Sequence, residues 1–300
     1  MSKKVLITGG SGLVGKELIG LLNSKGYEVA ILSRRSKTLS NAIAYQWDIA
    51  KDYIDPMAIE NTEVIIHLAG AGVAEKRWTA NRKEEIYNSR TKSSLLLYNY
   101  LKDHPHQVKT FVAASAIGLY GMDTGNTMVK ENAPTGTDFL AHVTDAWETS
   151  TRKVESLGIR LVQTRIGIVL SNEGGALKEL LKPPVAAPLG NGQQYMSWIH
   201  IKDLCHQIVF AIENEEVHGA FNAVGPKPMT NREFTKVAAG IFRKPYLPIP
   251  VPKLVLKLML GEMAQIVLGG NRVSSEKIMT AGFQFEFPKL EAALEDLKQR

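Results

Sequence analysis

The sequence predicts an α/β fold: a doubly wound parallel sheet with a smaller, mostly helical C-terminal lobe. Three observations carry that prediction. Short β-rich runs alternate with helical patterns through the first half of the chain, as a parallel sheet with crossover helices requires. Runs such as Val64 to Leu68 are continuously apolar, as strands covered on both faces are. The first such run passes through a glycine-rich turn directly into a helical pattern.

Val5-Leu6-Ile7-Thr8 reads as the first strand, and Gly15 to Lys25 carries apolar residues at helical spacing. Tyr27 to Ser33 is a second strand, Ala42 to Trp47 a short third, and Val64 to Leu68 a fourth. Arg82 to Lys102 is a long helix, followed by a fifth strand at Lys109 to Ser115. A loop rich in Gly, Asn and Thr separates it from a helix spanning Phe139 to Leu157, and Arg160 to Leu170 is the sixth strand. From Ser171 the texture changes: Gly174-Gly175, Pro183-Pro184, Pro188 and Gly190-Asn191-Gly192 punctuate a loop-rich stretch. A helix from Asp203 to Glu213 and a strand from Ala220 to Val224 are expected to return to the sheet. Pro226 to Arg300 reads as mostly helical around a Pro-rich connector at Pro245 to Pro252.

Composition narrows the classes of function. The 300 residues are roughly two domains' worth of chain, or one large one. The apolar fraction of 44% and charged fraction of 22% are those of an ordinary globular protein. One cysteine, Cys205, cannot form an internal disulfide framework and fits a reducing compartment. Met1-Ser2-Lys3-Lys4 runs straight into the first strand, so no signal peptide is expected ahead of Val5. The most apolar stretch, Val251 to Leu268, is interrupted by Lys253, Lys257, Gly261 and Glu262, so no membrane span is expected. A cytoplasmic location is the expectation. The net charge of +6 is dispersed along the chain, so no nucleic-acid partner is inferred, and no His/Cys/Asp/Glu grouping has metal-ligand spacing.

The turn reads Thr8-Gly9-Gly10-Ser11-Gly12-Leu13-Val14-Gly15, with glycines spaced Gly9-x-x-Gly12-x-x-Gly15. The first glycine permits the tight turn, the second lets backbone approach a pyrophosphate, and the third allows close helix–strand packing. The helix N-terminus then offers unpaired N–H groups and a positive dipole end to the phosphates. Strand before, helix after and a second strand closing the unit supply the context that makes this a Rossmann dinucleotide site. Sites selective for NAD place an acid at the end of the second strand. Here that stretch reads Ile31-Leu32-Ser33-Arg34-Arg35, with no carboxylate between Glu28 and Asp48. A hydroxyl followed by two guanidiniums suits a 2′-phosphate, so the expected cofactor is NADP(H). Residues 1–170 are read as the NADP-binding Rossmann domain, with 203–225 returning to it. Residues 171–202 and 226–300 form the substrate, or C-terminal, lobe.

With this loop, Asp48, and His67-Leu68-Ala69-Gly70 after the fourth strand, the chain resembles the extended short-chain dehydrogenase/reductases, which include nucleotide-sugar epimerases. Further motifs resemble an epimerase-like subgroup that carries its own small C-terminal domain. They are Lys76-Arg77-Trp78-Thr79, Glu85-Ile86, Ser89-Arg90, Ser115-Ala116-Ile117-Gly118-Leu119-Tyr120-Gly121, Met196 to Leu204, and Leu260-Gly261-Glu262-Met263-Ala264. The resemblance covers nearly the whole chain. It implies that Asp48 approaches the adenine and that Leu68-Ala69-Gly70 line the ribose side of the cofactor. It also implies that Arg90, with Glu85 on the same helix, faces the cofactor and that Val169 touches its nicotinamide end. A solvated face with local ion pairs is the competing reading of Glu85.

Catalysis in the broader family uses a Tyr-x-x-x-Lys pair with an upstream Ser or Thr. Tyr98-x-x-x-Lys102 matches the spacing but lies on the helix before the fifth strand, the wrong side of the strand order. In the expected window Leu140 and Thr144 occupy the two positions, and neither can move a proton. Ser115, placed like the family's catalytic serine, Tyr120 and His200 are the remaining catalytic candidates, with His142 and Asp145 also within reach of the cleft. Two readings stay open. One is an NADP(H)-dependent oxidoreductase or epimerase acting on a sugar-like or small carbonyl substrate. The other is a non-catalytic NADP(H)-binding protein that senses redox state or scaffolds a partner. Oligomeric state is not readable, and the Leu254 to Leu268 stretch fits either a subunit contact or a cap on the cleft.

Overall fold

Lys4–Thr8, buried at every position, form β1 in the computed structural model, which describes residues 3–34 and 41–300. The glycine turn leads into α1 (Leu13–Ser24), and the chain continues through β2 (Glu28–Ser33), β3 (Ile43–Asp48), a short β4 (Tyr53–Ile54), α2 (Pro56–Ile59) and β5 (Thr62–His67). Next come α3 (Ala80–Asp103), β6 (Thr110–Ala116), β7 (Asp123–Val129), α4 (Phe139–Arg152) and β8 (Arg160–Ile166). Beyond them lie β9 (Ile168–Leu170), α5 (Ala176–Leu181), β10 (Tyr195–Met196), β11 (Trp198–His200), α6 (Ile201–Glu213), β12 (Gly219–Ala223) and β13 (Met229–Thr230). The remainder is α7 (Asn231–Ile241), α8 (Lys253–Leu260), α9 (Gln265–Leu268), β14 (Gly270–Val273), α10 (Glu276–Thr280) and α11 (Leu290–Gln299).

The main sheet runs β12-β8-β6-β5-β1-β2-β3-β4. Its pairings are parallel except for the antiparallel edge β3–β4. From β1 the chain winds outward through β2 and β3, then returns to β5 and winds the other way. The order therefore reverses between β1 and β5, and in such sheets the crevice beyond the carboxyl ends of these strands is where ligands bind. The expected doubly wound class is thus the observed one, including the return of Gly219–Ala223 to the sheet edge beside β8.

Alternation along the strands divides the core. Val5 and Ile7 pack with Leu18, Leu22 and Ile208 on one face, and Leu6 packs with Ile65, Leu97 and Phe111 on the other. A third cluster, with Trp198, Phe234, Leu290 and Leu294, belongs to the C-terminal lobe. That lobe is pinned to α6 by Asp203, which accepts from the backbone N–H groups of Glu286 (2.8 Å) and Phe287 (3.1 Å).

Two expectations change. The sixth strand is not continuous: Gly167 breaks it, and there Ile168 N–H turns to the carbonyl of Ser197 at 2.8 Å. β8 stays in the main sheet, while β9 pairs with β11. Only glycine fits the break, because a Cβ there would meet Val224 Cγ1 at 2.7 Å and collide with the Ser197 carbonyl. The loop after β6 also contains a strand. Its β7 pairs in parallel with β14, from the far end of the chain.

Candidate functional site

The glycine turn after β1 is built on backbone proximity. Gly9 has φ +73°, a conformation L side chains rarely adopt, and a Cβ on it would lie 2.9 Å from the carbonyl carbon of Leu68. That closeness brings the ends of β1 and β5 together. A Cβ on Gly15 would lie 2.6 Å from Gly10 Cα, so the helix enters pressed against the loop. Gly12 is different. Its φ of −76° suits any residue, and a Cβ there would meet only the Gly9 carbonyl oxygen, at 3.2 Å. The space in front of Gly12 is open.

Capping sharpens the contrast. α3 is capped by Thr79, α4 by Asp138 and α7 by a Thr230/Glu233 capping box. α1 begins at Gly12 with no side-chain cap, as do α5, α8, α9, α10 and α11, so no side chain satisfies its first-turn amides at the positive end of its dipole. Val169 reaches the same place: a Cβ on Gly175 would touch both Leu13 Cδ2 (3.6 Å) and the Val169 carbonyl (3.7 Å).

His67 ties the loop together. The Ser93 and Ser94 hydroxyls donate to helix carbonyls, so His67 Nε2–H donates toward them at 3.2 and 3.1 Å. Its Nδ1 is then the acceptor for the Thr8 hydroxyl at 2.7 Å, which itself accepts from Ala69 N–H at 3.1 Å. Burial, reinforced by the charge of Arg90, lowers the imidazole pKa to about 3. His67 is neutral and structural.

Arg90 lies under Gly70, whose added Cβ would sit 3.2 Å from Arg90 Cζ. Its Nη1 donates to the carbonyls of Ala71 (3.0 Å) and Ile86 (2.9 Å), and its guanidinium rests over the Trp147 ring at 5.0 Å. Burial, with Arg82 nearby, lowers its pKa to about 10, so it stays cationic at neutral pH. No carboxylate lies within ion-pair reach of it among the described residues. Gly9, Leu68, Ala69, Gly70 and Arg90 are thus one contiguous surface.

Glu85 accepts from the buried Arg82 at 2.7 Å and is largely exposed. Arg82 also holds Glu75 at 3.1 Å and the Gly72 carbonyl. At the other end, Ser33 and Asp48 close β2 and β3, with Ser33 opposite Gln46 in the register. Asp48 accepts from Ala50 N–H at 3.0 Å. Arg34 is exposed, and Arg35 lies outside the described residues.

The three catalytic candidates fall into two buried networks. Ser115, at the end of β6, donates to Glu148 at 2.6 Å. Glu148 is gripped from two sides by Arg165, through Nε at 2.8 Å and Nη2 at 3.0 Å. Arg165 Nη1 donates to Tyr120 at 3.0 Å, and Tyr120 donates to Asn222 at 2.6 Å. Both hydrogen-bonding roles of the Tyr120 hydroxyl are filled, and burial pushes its pKa up. His200 accepts from Lys202 N–H at Nδ1 (3.2 Å) and faces Asp296 Oδ2 through Nε2 at 3.3 Å. It is sealed from solvent against Phe287, at 4.0 Å between rings.

Sequence reasoning did not single out Glu148, Arg165, Trp147 as a cation partner, or His67. One signal was available for the first two: Arg165 is a charge in a strand of the buried sheet, and Glu148 falls one turn after Thr144 on the helix face that meets it. Leu140 and Thr144 do face the turn after β6. A Cβ on Gly118 would lie 3.5 Å from Leu140 Cβ and 3.8 Å from Thr144 Oγ1, and Thr144 spends its proton on the Leu140 carbonyl at 2.7 Å. Exposed His142 stacks on Tyr87 at 5.9 Å. Among the described residues no group of His, Cys, Asp and Glu is placed to hold a metal, and no helix is long and apolar enough to cross a membrane. A groove of about 440 Å³ between α1 and α6 mixes Lys16, Glu17, Lys202, His206 and Glu286. Its walls are helix faces rather than strand ends, so the crevice remains the candidate site.

The two buried histidines make a prediction about pH. His200 is lowered to about 4, chiefly by burial, and His67 to about 3, both from an ordinary value of 6.5. Folded, both stay neutral; unfolded, both take up protons below pH 6.5. The stability they contribute is complete above that pH and is lost as pH falls toward 4 and 3. His67 alone is expected to cost about 1.6 kcal/mol between pH 6.5 and 5, and His200 acts in the same direction. Urea midpoints at the two pH values check this, and an unchanged midpoint contradicts it.

Comparison with known proteins agrees with the architecture. Residues 5–152 match the model of the NAD dependent epimerase/dehydratase family, and residues 251–297 match a domain of unknown function, DUF1731. An epimerase family protein of Staphylococcus aureus (strain MRSA252) is 37% identical over 298 residues, spanning 98% of this chain and 99% of that protein. A human epimerase family protein solved with NADPH is 29% identical, with a TM-score of 0.87 and 99% of each chain covered. At 18% identity and a TM-score of 0.77, with 99% of each chain covered, the UDP-glucose 4-epimerase of Thermotoga maritima shares the fold. The chain therefore belongs to the epimerase family of extended short-chain dehydrogenase/reductase-like proteins, in the branch that carries this C-terminal domain.

Proposed function

We propose that this protein is an NADP(H)-dependent oxidoreductase or epimerase acting on a small carbonyl or sugar-like substrate. The observation that carries the reading is the open, uncapped Gly12 turn beside Arg90 at the β1/β5 switch point. An anionic pyrophosphate fits such a turn. Ser33 and Arg34 at the end of β2, and the NADPH held by the 29% identical human relative, favour NADP(H) over NAD(H). Gly9, Gly12, Leu13, Val14 and Gly15 would hold the pyrophosphate. Asp48 with Ser33, Arg34 and Arg35 would hold the adenosine end, Leu68, Ala69, Gly70 and Arg90 the ribose side, and Val169 the nicotinamide end. Residues 1–170 with 203–225 would serve the cofactor, and 171–202 with 226–300 the substrate. Hydride chemistry comes from the cofactor when it is bound. Ser115, whose proton goes to Glu148, would orient a substrate oxygen either by accepting from a substrate hydroxyl or by turning that proton from Glu148 to a substrate carbonyl, with Tyr120 and His200 holding the surrounding framework.

A panel of small ketones and aldehydes, followed by NADPH oxidation, tests the reading. Ser115→Ala is expected to lower turnover of any substrate found about a hundredfold while leaving NADPH affinity unchanged; full turnover in the variant contradicts the placement of the site. Leu140 and the internally satisfied Thr144, where a catalytic pair would stand, favour a second reading as a non-catalytic NADP(H)-binding protein. Tight NADPH binding with no turnover across the panel would establish that one.

A further inference from the structure

We propose that α8, with the connector ahead of it, is a docking face for an anionic lipid surface and holds the protein peripherally at a membrane. Among the described residues, exposed large apolar side chains are isolated along the chain everywhere else. Here Leu247 and Ile249 of the connector and Leu254, Val255, Leu258 and Met259 of α8 follow one another closely. Single exposed apolar residues are ordinary, whereas a patch of them marks a surface that something covers. α8 meets the protein through buried Leu256. Helical spacing sets Leu254 and Leu258 opposite Leu256, Val255 and Met259 on one flank, and Lys253 and Lys257 on the other. Leu254, Leu258 and Met259 are 69%, 72% and 64% exposed. The helix is held through its backbone, with Arg77 donating to the carbonyls of Leu258 (3.0 Å) and Met259 (2.6 Å). The connector is fixed likewise: Leu247 N–H donates to the Ala186 carbonyl at 2.9 Å, and Val251 N–H to the Pro188 carbonyl at 2.8 Å. These side chains are therefore held in place and left outward.

Charge selects the occupant. No Asp or Glu occurs between Glu233 and Glu262, whereas the same stretch carries Lys236, Arg243, Lys244, Lys253 and Lys257. Lys253 and Lys257 are exposed, and among the described residues neither has a carboxylate partner. A symmetric dimer through this face would set lysine against lysine with no acid between them. An anionic bilayer suits both parts of the face. Leu254, Val255, Leu258 and Met259 enter the boundary between headgroups and acyl chains. The flanking ammonium groups stay at headgroup level on their flexible stems, drawn by the negative surface potential. Side chains this exposed stand out as a ridge. A protein partner would need a matching groove, whereas lipid chains close around any shape. Among the described residues no helix is long and apolar enough to cross a membrane, so the attachment is to one leaflet.

Flotation of the full chain with lipid vesicles tests the proposal. One set is phosphatidylcholine alone, and the other mixes it with an equal part of phosphatidylglycerol. The wild-type protein is expected to partition at least tenfold more strongly onto the mixed vesicles, and added salt to weaken that partitioning. Leu254→Asp combined with Leu258→Asp is expected to lower it at least tenfold, and so is Lys253→Glu combined with Lys257→Glu. Met57→Asp, at an isolated apolar side chain that is 58% exposed, is expected to leave it unchanged. Circular dichroism checks the fold of each variant, and if the leucine pair does not fold, the lysine pair decides. No preference for the mixed vesicles, or wild-type partitioning in the folded variants, would overturn the proposal. A wild-type dimer in sedimentation equilibrium that the leucine pair splits would overturn it too, assigning the face to a second copy of the chain.

Discussion

Glu148→Ala is expected to destabilise the fold by about 3–5 kcal/mol, the cost of leaving one member of a buried ion pair without its partner. Arg165 is held by both oxygens of Glu148, and both side chains are buried, with 9% and 3% of their surface exposed. Removing the carboxylate strands the guanidinium between Tyr120 and the Glu131 carbonyl, which cannot neutralise it. Ser115 loses its acceptor in the same step. Because truncation penalises the survivor more than the pair stabilises the protein, removing both partners should cost less than removing one. Urea unfolding of Glu148→Ala and of Glu148→Leu combined with Arg165→Met checks both statements. A loss below about 1 kcal/mol in the single variant would mean that the network is an ordinary surface pair.

Gly12→Val is expected to lower NADPH affinity at least a hundredfold, about 3 kcal/mol, without unfolding the protein. The backbone at Gly12 tolerates a side chain, and the nearest protein atom to a Cβ is the Gly9 oxygen at 3.2 Å. The new atoms would instead fill the space that the pyrophosphate needs. Gly15→Val should behave in the opposite way, losing stability first, because its Cβ would press on Gly10 at 2.6 Å. Circular dichroism with NADPH fluorescence separates the two. A Gly12→Val protein that binds normally would reduce the loop to a plain turn.

What could be read from the sequence was what is local. β1, β2, β5 and β6 each carry their own apolar run, whereas the two-residue β4 carries none and was not expected; the glycine turn sits between a strand and a helix that announce themselves. The β7–β14 pairing could not be read this way. Asp123–Val129 is mostly polar and exposed, and its partner Gly270–Val273 lies far along the chain. The break at Gly167 likewise depends on a distant carbonyl, that of Ser197. In the site, side chains that act singly were legible, whereas those that act in pairs were not. Glu85 read from the sequence as either a cofactor neighbour or a solvated ion-pair residue, and the structure gives it Arg82. Ser115 could be placed by resemblance, but its tie to Glu148 and Arg165 crosses from strand to helix to strand, and no spacing in one segment reveals it. The Leu254 to Leu268 stretch divides: Leu254, Leu258 and Met259 are exposed, whereas Met263 and Ile266 pack onto the Trp78 cluster.

The central claim is that the β1/β5 crevice holds NADP(H), selected by the basic end of β2. Calorimetric titration of NADPH and NADH into the wild-type protein and into Arg34→Asp tests it most directly. NADPH should bind the wild-type protein at least tenfold more tightly, a difference of about 1.4 kcal/mol or more, and Arg34→Asp should erase or reverse that preference. Equal affinities in the wild-type protein, or a preference untouched by Arg34→Asp, would contradict the assignment.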